Sequence, residues 1–131
     1  MKSVQFFALI LSILCLPVLA DTVTSPLSIE VIRSSPELYD GKNIKVSGQV
    51  RSLNPSRGKR GSEFMVLVLE NSNFQPGDSS QTLTVFSYFT PPLKKGGRVI
   101  VTGVYHKTGY WAGSTHDHFI EASKITPIEM N

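Results

Sequence analysis

The amino-acid sequence predicts an all-β domain, a small five-stranded barrel preceded by a short N-terminal helical segment. Several short segments alternate apolar and polar residues with a period of two, and turn-forming residues separate them. Two of these segments contain an internal glycine, Gly48 and Gly103, as strands do where they bend at the corners of small barrels. A sandwich would normally need about seven strands. We therefore expect a barrel.

The helical segment comes first in chain order. Residues Leu27 to Arg33 fit a short helix or an edge strand equally well. The following residues predict one helical turn, in which Ser35 caps the start, Pro36 takes the first helical position and Gly41 closes the turn.

Five strands follow. Ile44, Val46 and Val50 alternate with polar residues, so the first strand has one buried and one solvated face. Residues Phe64 to Leu69 are apolar on both faces, as expected of a central strand. The predicted strands are Asn43–Arg51, Glu63–Glu70, Gln81–Ser87, Arg98–Tyr105 and His118–Ile125.

The connections between the strands differ in character. Residues Asn54 to Gly61 predict a mobile basic loop, and residues Asn71 to Ser80 predict a polar turn. Pro91 and Pro92 exclude a regular helix between the third and fourth strands, or leave room for a single turn. Residues His106 to Asp117 are expected to form the last long loop.

The first twenty residues have the layout of a cleaved secretory signal. Lys2 precedes an apolar run from Phe6 to Leu16, and Val18-Leu19-Ala20 places small residues at the −3 and −1 positions before Asp21. The run is shorter than the roughly 20 residues that span a bilayer. We expect cleavage after Ala20 and a periplasmic or secreted protein without stable membrane insertion; an uncleaved membrane anchor is the alternative.

Composition supports one globular domain and excludes several function classes. The chain has 131 residues, of which 40% are hydrophobic and 18% charged, which is too ordinary for a disordered protein. Loss of residues 1–20 would remove Cys15, the single cysteine, and with it any disulfide or cysteine nucleophile. The net charge of +3 would also fall by one with Lys2. A charge this small does not by itself imply nucleic acid or membrane.

Two segments resemble OB-fold domains of the nucleic-acid-binding type, which includes anticodon-binding domains. Residues Ser35 to Val50 contain the short turn, the Asp-Gly-Lys sequence and the first strand with its internal glycine. Residues Leu93 to Tyr105, beginning Leu-Lys-Lys-Gly-Gly-Arg-Val, are similar to the fourth strand and its approach. The resemblance covers residues 35–126. It implies a single OB-fold domain over residues 21–131, with the barrel at about 42–126, and single-stranded nucleic acid or another polyanion as the partner. The chain is also similar to small periplasmic bacterial OB-fold proteins.

Basic residues cluster in two segments that contain no acidic residue. The first holds Lys42, Lys45, Arg51, Arg57, Lys59 and Arg60, and the second holds Lys94, Lys95, Arg98 and Lys107. Cations that follow phosphates, combined with aromatic rings on which bases stack, are how such domains hold single strands. The candidate rings are Phe64, Phe86, Tyr88, Tyr105, Tyr110 and Trp111. Alternatively, Phe64 and Phe86 belong to the core and the cations only add solubility.

The predicted ligand-binding residues are Arg51, Arg57, Lys59, Arg60, Tyr88, Lys107, Tyr110 and Trp111. An alternative function uses the predicted loop at Tyr110 and Trp111, between two glycines, as a contact patch for a protein or a glycan.

The last predicted loop also holds every histidine of the chain. His106, His116 and His118, with Asp117, are ligand types that zinc and copper accept, so a metal-binding module is a further alternative. A His-x-His pair is a weak pattern, and we expect no metal and no cofactor. No Gly-x-Ser-x-Gly, Walker or dinucleotide-binding motif occurs. We therefore expect an exported, non-enzymatic OB-fold binding module.

Overall fold

The computed structural model describes residues 25–71, 75–78 and 81–128. The predicted signal sequence, including Cys15, lies outside the described residues. Within them, no helix is long and apolar enough to cross a membrane.

The described chain is mostly β-structure with two short helices in front of it, as the sequence predicts. The elements are β1 (Leu27–Ser28), α1 (Ile29–Ser34), α2 (Pro36–Tyr39), β2 (Asn43–Arg57), β3 (Glu63–Glu70), β4 (Thr82–Ser87), β5 (Arg98–Trp111) and β6 (Ser114–Ile128). The short β1 pairs with β2 in parallel orientation.

Strands β2 to β6 close into a ring. Their order is β2-β3-β4-β6-β5, and β5 pairs again with β2. Strand β2 pairs with two strands along its length: residues Asn43–Gln49 pair with β5, and residues Gln49–Arg57 pair with β3. All pairs of the ring are antiparallel except β4 with β6. This OB-like topology confirms the predicted five-stranded barrel.

Two glycines allow the ring to close. A Cβ on Gly103 would overlap the carbonyl oxygen of Glu121 and lie 2.8 Å from the Cα of Ala122 on β6. The β5–β6 register also shifts at this point. A Cβ on Gly48 would lie 3.2 Å from a side-chain carbon of Ile29 and the same distance from one of Leu69. At Gly103 the backbones of β5 and β6 come closer than a side chain permits, whereas at Gly48 a side chain would require the neighbouring Ile29 and Leu69 side chains to shift slightly.

One apolar core fills the ring, and α1 contributes Ile29 and Ile32 to it. The barrel residues of this core are Ile44, Val46, Val50, Leu67, Leu69, Leu83, Val85, Val99, Val101, Tyr105, Ile120 and Ile125. Their alternation along the strands identifies the outward-facing residues as well.

The helix caps differ partly from the expected ones. Ser28 caps α1, because its Oγ accepts a hydrogen bond from the Val31 N–H at 3.2 Å. The side chain of Ser35 makes no capping hydrogen bond at the start of α2, so that prediction is wrong. Pro36 is the first residue of α2, and Gly41 has the positive φ of a turn residue, 77°.

Two regions predicted as loops are instead arms of β-hairpins that extend beyond the ring. The first, which we call the β2–β3 arm, comprises residues 52–65, and the second, the β5–β6 arm, comprises residues 106–118. Pro55 is tolerated in the first arm because β2 pairs there with β3 alone and is an edge strand. The second arm turns at Ala112 and Gly113, whose φ angles of 52° and 90° match the mirror-image turns of tight hairpins.

Candidate functional site

The two arms meet over the outer face of β3 and β4. On this face lies a second apolar cluster, separate from the barrel core, formed by Phe64, Phe86 and Phe119, and we call it the arm cluster. Because Leu67 and Val85 point into the barrel, the phenylalanines of β3 and β4 point outward. Their burial is supplied by the β5–β6 arm, which packs Trp111 and Ala112 against them.

Trp111 attaches the β5–β6 arm to the barrel. Its ring stacks on Phe86 with centroids 5.2 Å apart and planes 4° apart, and it contacts the edge of Phe64 at 5.6 Å. The ring of Tyr88 packs on Trp111 at a tilt, with centroids 5.1 Å apart. The neighbouring Tyr110 is 72% exposed. The structure therefore separates the predicted Tyr110/Trp111 pair into one packed and one solvent-facing ring.

A local irregularity decides which of the two rings is packed. His118 has a φ of 51°, and the N–H of Lys107 on the opposite strand donates to Asp40 Oδ1 at 2.8 Å. Beyond this point the side chains that face the cluster are shifted by one residue along the strand, so that Gly109 lies over the ring of Phe119. Uninterrupted alternation would have placed Tyr110 against the cluster in place of Trp111.

The tips of the two arms touch. A Cβ on Gly58 would lie 3.2 Å from the Cβ of Ala112, and a Cβ on Gly113 would lie 2.7 Å from Cδ of Lys59. The alkyl stem of Lys59 thus crosses Gly113 and joins the β2–β3 arm to the β5–β6 arm. Both glycines are small enough to permit this contact.

Two cavities open beside this contact, and we call them together the tip cleft. The larger, about 520 Å³, is lined by Pro55, Ser56, Arg57, Glu63, Phe64, Met65, Tyr88 and Thr90. The smaller, about 270 Å³, is lined by Gly58, Lys59, Arg60, Ser62, Phe64, Tyr88, Ala112 and Gly113. Phe64 and Tyr88 border both cavities. Tyr88 is 53% exposed, so its ring offers an accessible surface there.

The tip cleft carries more positive than negative charge. Arg57 forms an exposed ion pair with Glu63, at 2.6 Å, in the last β2–β3 pair before the turn of the arm. No salt bridge joins Lys59 or Arg60 to an acidic group among the described residues. The hydroxyl oxygen of Thr90 is buried and has no hydrogen-bond partner among the residues that the structure describes. The cleft therefore combines two unpaired cations, an accessible ring and an unused polar group.

Three of the predicted ligand-binding residues lie away from this cleft. Arg51 lies 4.0 Å from Glu70 and borders a different depression. Lys107 is held at α2 by Glu37 at 2.7 Å, a contact that lowers the pKa of Glu37 and raises the pKa of Lys107. Tyr110 points to solvent from the β5–β6 arm. The structure brings together Arg57, Lys59, Arg60 and Tyr88, with Trp111 packed behind Tyr88.

The histidines are divided between two sides of the β5–β6 arm. His106 and His116 pack on Phe119, at centroid distances of 4.9 and 5.9 Å. His118 is joined through Nδ1 to the hydroxyl of Tyr105 at 2.7 Å. Burial, followed by the charge of Arg33, lowers the pKa of His118. In the described ranges, no three His, Cys, Asp or Glu side chains form a group that could hold a metal ion.

Sequence reasoning missed several residues that shape the cleft. Thr90, Ala112 and Gly113 border it, but small and hydroxyl residues near turns have no distinctive pattern. Of the rings proposed as stacking platforms, Tyr105 lies in the barrel core and Phe64 and Phe86 in the arm cluster. Tyr88 is the candidate ring that is both exposed and inside the cleft.

Comparison with known proteins supports the fold. No protein-family model matches the sequence, and no curated protein matches it. Among solved structures the chain is similar to a DUF3299 family protein from Pseudomonas aeruginosa, with 20% identity and a TM-score of 0.50 over 72% of this chain. It is also similar to a Leishmania major protein assigned as an aspartyl-tRNA synthetase, with 16% identity and a TM-score of 0.49 over 81% of this chain. The matched regions span 66% of the first protein and 21% of the second. Ring and arms together define an OB-like barrel domain.

Proposed function

We propose that this protein is a non-enzymatic OB-like binding module that holds an extended anionic chain in the tip cleft. Single-stranded nucleic acid is the first candidate, and another polyanion is the second. One observation carries the proposal: Lys59, Arg60 and Arg57 line the same two cavities as the exposed ring of Tyr88. Cations beside an accessible aromatic ring bind a single strand through its phosphates and its bases at once.

Each group in the cleft has a distinct role in this proposal. Lys59 and Arg60 attract phosphates at the arm tips, and Tyr88 offers its exposed face to one base. Thr90 Oγ1 supplies a hydrogen bond to a polar ligand atom, which would satisfy a group that is otherwise buried without a partner.

We further propose that the protein acts outside the cytoplasm after removal of residues 1–20. The basis is the Lys2, apolar-run and Val18-Leu19-Ala20 arrangement of the sequence. Mass spectrometry of the fractionated protein should show an N-terminus at Asp21. An intact Met1 in the cytosolic fraction would contradict the proposal.

Neutralising the cleft cations should weaken binding to a fluorescein-labelled oligo-dT. In the variant Arg57→Gln, Lys59→Gln, Arg60→Gln, each lost phosphate contact should flatten the slope of log K against log salt by about 0.7. Loss of the Lys59 and Arg60 contacts would reduce the slope by about 1.4 units, since Arg57 is already paired with Glu63. Fluorescence anisotropy between 50 and 200 mM salt, in the range over which such affinities change strongly, measures both quantities.

Ring variants provide the matched control. Tyr88→Ala should cost about 1–3 kcal/mol of oligo-dT binding, as the loss of a stacking ring does. Tyr110→Ala should leave binding unchanged, because that ring lies outside the cleft. No binding of the parent protein at low salt would refute the polyanion proposal. The exposed rings of Tyr110 and Phe89, at 72% and 86%, would then favour a contact surface for a protein or a glycan.

A further inference from the structure

A second basic surface lies on different strands of the ring. Three cross-strand rows run over the outer face of β2, β5 and β6, and we call this surface the basic wall. The rows are Lys45–Thr102–Lys124, Ser47–Ile100–Thr126 and Gln49–Arg98–Ile128. The intervening residues, such as Val46, Val101 and Ile125, point into the barrel, so the members of the rows face outward.

The cations of this wall are free to meet a ligand. Lys45, Arg98 and Lys124 are exposed, and no salt bridge joins them to another described residue. The three rows contain no acidic residue. Of the carboxylates that border the wall, Glu121 is held by His106 at 2.8 Å and Glu70 lies 4.0 Å from Arg51.

The side chains between the cations indicate what kind of anionic partner fits. No aromatic ring occurs in the rows, so the wall offers no stacking platform of the kind a single strand uses. Instead the partly exposed Ile100 and Ile128 lie between hydroxyl residues and cations. A small polar notch of about 120 Å³ next to Arg98 is lined by Ser28, Ser47, Gly48, Gln49, Asn71 and Arg98 itself.

We propose that the basic wall docks on the surface of a bilayer that contains anionic phospholipids. Lys45, Arg98 and Lys124 contact headgroup phosphates, the notch beside Arg98 accepts one phosphate group, and the isoleucines lie at the headgroup level. Each cation near such a surface strengthens binding by about fivefold. This role goes beyond the proposed function, because the wall and the tip cleft use different residues.

Vesicle flotation with two charge-matched variants tests the proposal. The purified chain is mixed with vesicles of phosphatidylglycerol and phosphatidylcholine, and with vesicles of phosphatidylcholine alone. The wall variant Lys45→Gln, Arg98→Gln, Lys124→Gln removes three charges, as does the cleft variant Arg57→Gln, Lys59→Gln, Arg60→Gln. We expect the parent and the cleft variant to float with the anionic vesicles, and the wall variant to bind them on the order of 100-fold more weakly. Binding through the apolar N-terminal segment would appear equally on phosphatidylcholine.

Other outcomes overturn the proposal. Equal losses in the two variants would mean that net charge alone governs the association. Undiminished vesicle binding by the wall variant would remove the wall from any lipid role. Loss of oligo-dT binding by the wall variant, with vesicle binding retained, would make the wall a nucleic-acid surface. Circular dichroism melts establish that both variants are folded, and a failure of the parent to bind oligo-dT would affect only the tip-cleft proposal.

Discussion

Replacing Gly103 by valine should destabilise the protein by about 3 kcal/mol or more, the upper range for overpacking a well-filled site. The added Cβ alone overlaps the carbonyl oxygen of Glu121 and approaches the Cα of Ala122. Both obstacles are backbone atoms of β6, which cannot move aside as a flexible side chain can. Thermal denaturation should therefore show a melting temperature lower by roughly 10 °C or more.

A neighbouring substitution controls for position. Thr102 lies on the same strand and its side chain points outward, so the substitution Thr102→Val adds no atom at the β5–β6 contact. It should leave the melting temperature nearly unchanged. Gly48→Val should have an intermediate effect, because a Cβ there meets side-chain carbons of Ile29 and Leu69 at 3.2 Å. A Gly103→Val protein that melts with the parent would contradict a closed ring at this position.

Replacing Trp111 by alanine should release the β5–β6 arm from the barrel. The stacked contact with Phe86 and the edge contact with Phe64 would both be lost, at a cost of about 3 kcal/mol for a large aromatic ring. Since the cluster lies outside the barrel core, the loss should concentrate in the arm. Hydrogen exchange of amides 106–118 should accelerate on the order of 100-fold, while the amides of β2 and β3 in the ring change much less.

The adjacent ring supplies the control for this experiment. Tyr110→Ala removes an aromatic side chain of similar size that is 72% exposed, so its effect should stay within about 0.5 kcal/mol. Similar acceleration of exchange in both variants would show that the arm is not held by Trp111. Trp111 is also the single tryptophan of the chain, so its fluorescence in the parent protein reports on the arm cluster.

The alternation of apolar and polar residues along the sequence was enough to predict the barrel. Ile44, Val46 and Val50 alternate with polar residues because one face of β2 lies against the core, and this requirement is visible in any short window. Gly48 and Gly103 were identifiable in the same way, since a glycine inside an apolar strand commonly marks a bend or a close approach of two backbones. The basic character of residues 57–60 was likewise evident, as was the exclusion of a regular helix by Pro91 and Pro92.

Contacts between distant residues decided the candidate site. Asp40 accepts a hydrogen bond from the N–H of Lys107, which lies 67 positions away in the chain. The adjoining irregularity at His118 places Trp111 in the arm cluster, while Tyr110 faces solvent. Ala112 adopts a positive φ, which is uncommon for alanine and is not predictable from the neighbouring residues. Together with Gly113 it forms the tight turn that makes the predicted loop a hairpin arm. Glu37, which lies 70 positions away from Lys107 in the chain, holds it at α2 and away from the tip cleft. An alternating pattern reports only which residues of one strand share a face. Which arm covers that face, and which charges are already paired, depends on chain segments that meet only when the ring closes.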